Sequence, residues 1–585
     1  DLANSLGFNA IINFVSTNPD PFVKTVFENS DITLDTTSPV PGSNYTNAAI
    51  DLTPATYTSE KFNALSMERS RVTIAASQAV NSTGPINSNA QGLSMGSNSN
   101  AASNAETAYY NYGTVSNTGG TSTVNIAGIN VSYGTIENKN GGQITVNEGA
   151  GIYGTNGSKL VNEAGGIITV TTSGAGIAAK VTADPTTPLT YGTDANTPIT
   201  STQNAIEITN EGNIVTTGMA NPIGIFALNN KADTVNRNRV VVNNKSNITL
   251  GNNGVGIIVM AEPTVSGGNP IHGGTVNLTG TGSSDIATGT NGTGVYAQNS
   301  DINLLTDYRI ETKDDGAGIY VKGTSSSING SGKKFIYKYS GSATGKGAGL
   351  AFGGSLSGEV GTPDSKNYVD IDVENATNTT GGIASIYATG GGTFTNYGTV
   401  NASTVKGYNI IGNGRNIINE GVLNVASSTS TTEPNIGMVV VNSGKATNNK
   451  TITIGDKSVG IYGFEVDLNA GSTTTVGKEG IGIYSKGGNV KLLAGSNLNV
   501  GTNEGVGVYV VGNSQYVSSE GTINLSDNSF GFVNAGTGNT IESRSNVDLH
   551  NKNIYIYSSD NTGKVYNKGN LTGYGSKNYG VYAAG

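Results

Sequence analysis

These 585 residues contain no cysteine and no tryptophan, and only two histidines. The missing cysteine excludes disulfides, thiolate metal sites and Cys nucleophiles together. A large β protein without Cys suits a surface that is exported unfolded. Charge is also sparse, at 12 % of residues, about half the usual share. The net charge of −9 and pI near 5.0 argue against nucleic acid as a partner, since no basic stripe is there to release phosphate counterions. No apolar run approaches the ~18–20 residues of a membrane helix. The opening residues, Asp1-Leu-Ala-Asn-Ser-Leu-Gly7, lack the basic start and apolar core of a signal peptide. The last residues, Tyr579 to Gly585, stop inside a repeat, as expected of a piece cut from a longer protein.

Glycine is abundant instead, at 85 residues, against 14 prolines and no strict third-residue period that would signal collagen. The glycines belong to a recurring phrase. It reads Gly-Ala-Gly-Ile-Tyr at Gly149 to Tyr153 and at Gly316 to Tyr320, Gly-Ile-Gly-Ile-Tyr at Gly480 to Tyr484, and Gly-Val-Gly-Val-Tyr at Gly505 to Tyr509. Late copies recur every ~22–25 residues, the period of a solenoid. In the phrase, strand alternation puts Ile481 and Ile483 on one face and Gly482 and Tyr484 on the other. The same parity pairs Val506 with Val508, Val459 with Ile461, and Phe530 with Phe532. A second strand follows Asn-x-Gly, as at Asn396, Asn419 and Asn567, where Asn and Gly are expected to supply left-handed turns.

The expected fold is therefore all-β, a right-handed parallel β-helix with loop excursions, over residues 111–585. Stacked at ~4.8 Å, about nineteen coils make a rod on the order of 80–90 Å long. Residues 1–110 depart from the pattern and read as a non-repetitive N-terminal region: an inserted domain, a cap or binding tip, or coils with long excursions. Phe8 to Phe27 is the most apolar stretch of the chain, Thr58 to Arg71 reads as a short helix, and Asn81 to Ala105 as a flexible connector. Four breaks in the period, Gly176–Gly224, Glu262–Gly274, Lys322–Gly345 and Thr404–Pro434, mark excursions of the kind that carry recognition in solenoids.

Chemistry-bearing constellations are few. His272 and His550 are far apart and read as solvent-facing loop and turn residues. Gly92-Leu-Ser-Met-Gly96 matches a nucleophile-elbow pattern but lacks the strand-turn-helix context. Two clusters stand out. In Tyr368-Val-Asp-Ile-Asp-Val-Glu374, alternation projects Asp370, Asp372 and Glu374 outward together. They make a Ca²⁺ site or a glycosidase pair, or simply a solvated strand face. In Lys333-Lys-Phe-Ile-Tyr-Lys-Tyr339, the face of Phe335, Tyr337 and Tyr339 beside Lys334 and Lys338 suits a sugar ring or an acidic partner. Its structural alternative is an edge strand protected by its lysines. Tyr462, Tyr484 and Tyr509 form an outward ladder, read as structural stacking with glycan binding as the other reading. No catalytic residue and no cofactor is assigned.

Gly480-Ile-Gly-Ile-Tyr-Ser-Lys-Gly-Gly-Asn-Val490, Gly505 to Tyr509, Asn419-Glu-Gly-Val-Leu-Asn-Val425 and Asn567-Lys-Gly-Asn-Leu-Thr572 resemble the passenger repeats of large fusobacterial type V autotransporter adhesins. The resemblance covers about residues 110–585. It implies secretion through an outer-membrane barrel, display on the cell surface, and attachment to host cells or to other bacteria. It further implies a host glycan of the galactose or N-acetylgalactosamine type, or a protein receptor, as the partner of a monomeric chain. The family offers no motif that assigns binding residues here. Two other readings stay open at this point: a β-helical carbohydrate-active enzyme, and a purely structural stalk.

Overall fold

Runs of two to four β-branched residues separated by Gly, Asn and Asp are too short for helices and suit strands closed by tight turns. In the computed structural model they form strands throughout, and no helix occurs among the described residues. Those residues are 108–117, 127–132, 134–181, 206–216, 218–230, 239–262, 265–266, 269–282, 285–377 and 380–584. To them are added the strands Thr25–Glu28, Asp31–Leu34, Ala49–Asp51, Leu65–Glu68, Arg71–Ile74, Ala79–Ser82, Gln91–Ser94, Thr190–Gly192 and Pro198–Thr200. The chain forms two units, Asp1–Leu305 and Thr306–Gly585, and each is by itself a stack of parallel β coils.

One coil is three short strands on three faces. In the first unit, Val240–Asn244, Ile248–Thr249 and Val255–Ala261 lie in parallel register on Ile206–Asn210, Asn213–Thr216 and Ile223–Asn229. In the second, Glu465–Leu468, Thr473–Val476 and Ile481–Ser485 lie on Lys445–Asn448, Thr451–Ile454 and Val459–Gly463. Like residues therefore stack on like. Ile452, Ile461, Ile483, Val466 and Leu468 are fully buried in the second unit, as are Ile214, Ile225, Ile248 and Ile257 in the first. Burying each such side chain contributes roughly 1.5–3 kcal/mol.

The expected parity of the phrase fails at its middle glycine. Ile483 is fully buried but Ile481 is half-exposed, and Gly482 also faces inward. A Cβ built on Gly482 would lie 2.5 Å from the Gly507 carbonyl and 3.0 Å from Leu498 Cδ1. Gly176 and Gly256 meet Ile214 and Ile286 in the same way. In these three coils the glycine is needed as space for an apolar side chain from a strand of the next coil. The alternation is broken there by two successive inward residues.

Asn-x-Gly also works differently from expectation. The Asn is not left-handed; it ends a strand with its amide inside the coil. Asn419 Nδ2 donates to the Gly421 carbonyl at 3.0 Å and to Asn448 Oδ1 at 2.9 Å, while Asn396 Nδ2 donates to Asn419 Oδ1 at 3.2 Å. Asn367 joins that ladder at 2.9 Å. The first unit has its own, from Asn111 through Asn138, Asn162 and Asn210 to Asn244. The left-handed turn sits instead just before the phrase, at Lys457, Glu479, Glu504, Asn528, Lys552 and Lys577, all with φ between 55° and 68°.

Other expectations are also corrected. Within Thr58 to Arg71, Leu65–Glu68 is a strand paired with Thr25–Glu28, and Arg71 opens another, so the helix is not formed there. Asp31–Leu34, Arg71–Ile74 and Ala108–Asn111 stack in parallel register, as do Ala49–Asp51, Ala79–Ser82 and Thr114–Asn117. These strands within residues 1–110 pair as the strands of the coils do. Phe8 to Lys24 and most of the Asn81 to Ala105 connector lie outside the described residues, but Asn81 and Ser82 end the strand Ala79–Ser82 and Gln91–Ser94 is a strand.

Two of the four breaks carry antiparallel hairpins, Thr190–Gly192 with Pro198–Thr200 and Val265–Ser266 with Asn269–Pro270. The other two are mostly coil. Lys322–Gly345 holds the strands Ser325–Asn329 and Lys334–Tyr339. Thr404–Pro434 holds Gly407–Asn413, Asn416–Asn419 and Val422–Val425. Its copy of the phrase carries buried Asn409 in place of the central glycine, donating to the Val400 and Asn424 carbonyls at 2.6 and 3.0 Å.

Candidate functional site

The strand Lys334–Tyr339 is not an edge. It lies between Tyr308–Thr312 and Asp370–Asn375 in parallel register. Central placement decides which face is available. Phe335, Tyr337 and Tyr339 are fully buried inside the coil, so they cannot stack on a sugar ring from solvent. Burial pushes the Tyr337 hydroxyl up, and it shares a hydrogen bond with Thr312 Oγ1 at 2.7 Å. The Tyr339 hydroxyl donates to the Asp314 carboxylate, which also accepts from the Ser342 amide at 2.7 Å. These donors hold the Asp314 carboxyl below its ordinary value.

The outward face of the same strand brings the two expected clusters together. Register places Lys334 beside Asp370, Ile336 beside Asp372 and Lys338 beside Glu374. Lys334 Nζ meets Asp372 Oδ2 at 2.7 Å, and that carboxylate also accepts from Asn401 Nδ2 at 2.6 Å. Glu374 takes Arg309 Nη1 at 2.5 Å, Lys338 takes Glu311 at 3.0 Å, and Asp370 accepts from the Thr399 amide at 2.7 Å. Each carboxylate is thus directed to a different donor on another coil, Glu374 reaching Arg309 across the intervening strand. Among the described residues no group of three or more His, Asp or Glu converges to hold a metal ion. Asp370, Asp372 and Glu374, read as a Ca²⁺ site, a glycosidase pair or a solvated strand face, take part with Lys334, Lys338 and Arg309 in ion pairs and hydrogen bonds that run across successive coils. Arg309, Glu311 and Asn401 were not singled out in the sequence. The period could have found them, because register fixes which side chains meet.

His272 is mostly buried, with Nε2 3.4 Å from Asp301 Oδ2, rather than solvent-facing. Arg415 is a second surprise. It is 1 % exposed, and its guanidinium donates to the Gly353, Thr389 and Thr393 carbonyls at 3.1, 3.2 and 3.1 Å and to Ser365 Oγ at 2.8 Å. Burial pushes it down to about 10.

The surface that remains available is the outer side of the phrase. Tyr462, Tyr484 and Tyr509 are in register, half-buried, with ring centroids 5.4 Å apart at both steps and planes within 12°. Tyr557 and Tyr582 repeat the arrangement at 5.8 Å, and Tyr368 and Tyr397 stack at 4.7 Å on another face. Within the ladder each ring face covers its neighbour. The groups turned to solvent are ring edges and hydroxyls, so a pyranose has no free face to stack on between the rungs. Burial pushes the Tyr484 hydroxyl up, and the flanking Tyr509 and Tyr462 add to this. Lys486 lies over the Tyr462 ring with Nζ 5.8 Å from its centroid.

No family model matches the chain, and no curated protein matches it.

Proposed function

We propose that this chain is part of the extracellular passenger of a bacterial surface adhesin, acting as a monomer in attachment to host cells and to other bacteria. The observation that carries the reading is the repeated outward surface of the coils. In-register stacking sets the same position at the same place on successive coils, as the Tyr462–Tyr484–Tyr509 ladder does, and a solenoid of this kind serves display and contact. The wording of the repeats, which resembles fusobacterial autotransporter passengers, supports the same reading and a cell-surface location. The partner in this reading is a galactose-type glycan or a protein receptor. The excursions around Thr190–Thr200 and Val265–Pro270 are the recognition candidates.

The test is a glycan array and a cell-binding assay of the purified chain, with galactose-type sugars and arginine as competitors. Binding that galactose competes supports a lectin role, and binding that neither competitor touches supports a protein receptor. Failure to bind any glycan, host cell or bacterium would overturn the reading and leave these coils as stalk.

A further inference from the structure

Tyr368 and Tyr397 stand on neighbouring coils, one stacked on the other. Each follows the asparagine that ends its strand, Asp364–Asn367 or Thr393–Asn396, and those strands pair in parallel register. The Tyr397 amide donates to the Asn367 carbonyl at 2.8 Å, and Asn367 Nδ2 donates to Asn396 Oδ1 at 2.9 Å. Fixed backbone therefore carries both phenols. Their ring centroids are 4.7 Å apart and their planes within 4°, closer than the 5.4 Å steps of the Tyr462–Tyr484–Tyr509 ladder. Tyr397 is 43 % exposed and Tyr368 half-buried, so a small oxidant in solution reaches the pair. The chain has no cysteine and no tryptophan, the side chains that would otherwise give up an electron first or quench a tyrosyl radical. Met219 and Met438 are buried.

We propose that Tyr368 and Tyr397 are a site of oxidative modification, joined as a dityrosine that staples one coil to the next. Each phenol gives up one electron and its hydroxyl proton, leaving a phenoxyl radical with spin on the oxygen and on the two ring carbons beside it. One Cε of Tyr368 bonds to one Cε of Tyr397. The hydrogen on each of those carbons then passes through solvent to the phenol oxygen, which restores both aromatic rings. In balance, two electrons go to two equivalents of a one-electron oxidant, the class that peroxides generate, and two protons go to water. Half-exposed side chains rock on the picosecond to nanosecond scale, which brings the ring carbons from stacking to bonding distance. Holding both partners on paired strands favours their coupling over encounters between chains. The new bond closes the chain between them as a disulfide would, in a protein that has no cysteine to make one.

The test is brief photo-oxidation of the dilute chain with tris(bipyridyl)ruthenium and persulfate, a one-electron oxidant that also works in urea. Dityrosine fluorescence reports coupling, and mass spectrometry of a digest of the monomer band locates it. A peptide linked through Tyr368 and Tyr397 is expected. Tyr397→Phe, which keeps the ring and the stack, should lose that peptide, whereas Tyr574→Phe should leave it unchanged. In the urea-unfolded chain all 27 tyrosines compete, so the share of this pair among the linked peptides should fall about tenfold. The comparison of folded and unfolded wild type decides even if a variant fails to fold. The proposal is overturned by absence of the Tyr368–Tyr397 peptide from the folded chain, by an equal share in urea, or by its occurrence only in covalent dimers.

Discussion

Gly256→Ala puts the packing argument at most risk. A Cβ at Gly256 would lie 2.7 Å from Ile286 Cγ2, and the Gly294 carbonyl is closer still. Ile286 is fully buried and the carbonyl belongs to the strand Thr293–Gln298, so neither can swing aside. Overpacking of this kind costs about 1–3 kcal/mol. Loss of glycine's freedom in the unfolded chain returns ~0.4–1 kcal/mol. The net expected loss is about 1–2 kcal/mol.

Gly251, five positions earlier, is the control. A Cβ there meets nothing within 4 Å, and its φ is not left-handed. Gly251→Ala should therefore stabilise by ~0.4–1 kcal/mol. A global melt averages over a solenoid whose coils open piecewise. The assay is thus hydrogen exchange by mass spectrometry on peptides covering Val255–Ala261 and Thr293–Gln298. Protection should fall about tenfold in Gly256→Ala and rise slightly in Gly251→Ala, since ~1.4 kcal/mol is one decade. Equal protection in Gly256→Ala and wild type, or equal losses in the two variants, would refute the reasoning.

Asn419→Ala should cost about 1–3 kcal/mol, because it removes the buried hydrogen bonds that Asn419 makes with Asn396, Asn448 and the Gly421 carbonyl; exposed Asn424→Ala should cost under ~1 kcal/mol in the same denaturation experiment. Arg415→Ala should lose about 3 kcal/mol by leaving three carbonyls and Ser365 unpaired, with Arg415→Lys recovering only part, as read by urea unfolding. Glu542, held down to about 2 by hydrogen bonds from Lys568 and then Arg544, stabilises the fold fully above its unfolded value near ~4.3 and loses that contribution as pH falls through 2. Glu542→Gln should flatten the stability profile in that acid window, measured by denaturation at successive pH values.

How far the sequence reaches is visible in particular residues. Copies of the phrase at Gly480 and Gly505, with β-branched runs too short for helices, were enough to establish a stack of parallel coils. Periodicity is local information that needs no knowledge of neighbours. The Thr404–Pro434 coil escaped because Asn409 replaces the central glycine, and only the buried carbonyls of Val400 and Asn424 explain that choice. The sequence also marked Lys334 to Tyr339 and Asp370 to Glu374 as unusual. Parity alone could not say which face of the first strand is inside.

That choice belonged to the tertiary structure. A strand has two faces and alternation separates them, but only the coils above and below determine which is sealed from water. Once Phe335, Tyr337 and Tyr339 fill the interior, the lysines must face out. Stacking register then brings Asp372 and Glu374 within reach of Lys334 and Arg309, from residues as far as 65 positions away. The same register makes single asparagines into a buried ladder and single tyrosines into a stacked one. The sequence by itself determined the repeat; contacts between repeats determined the surface it presents.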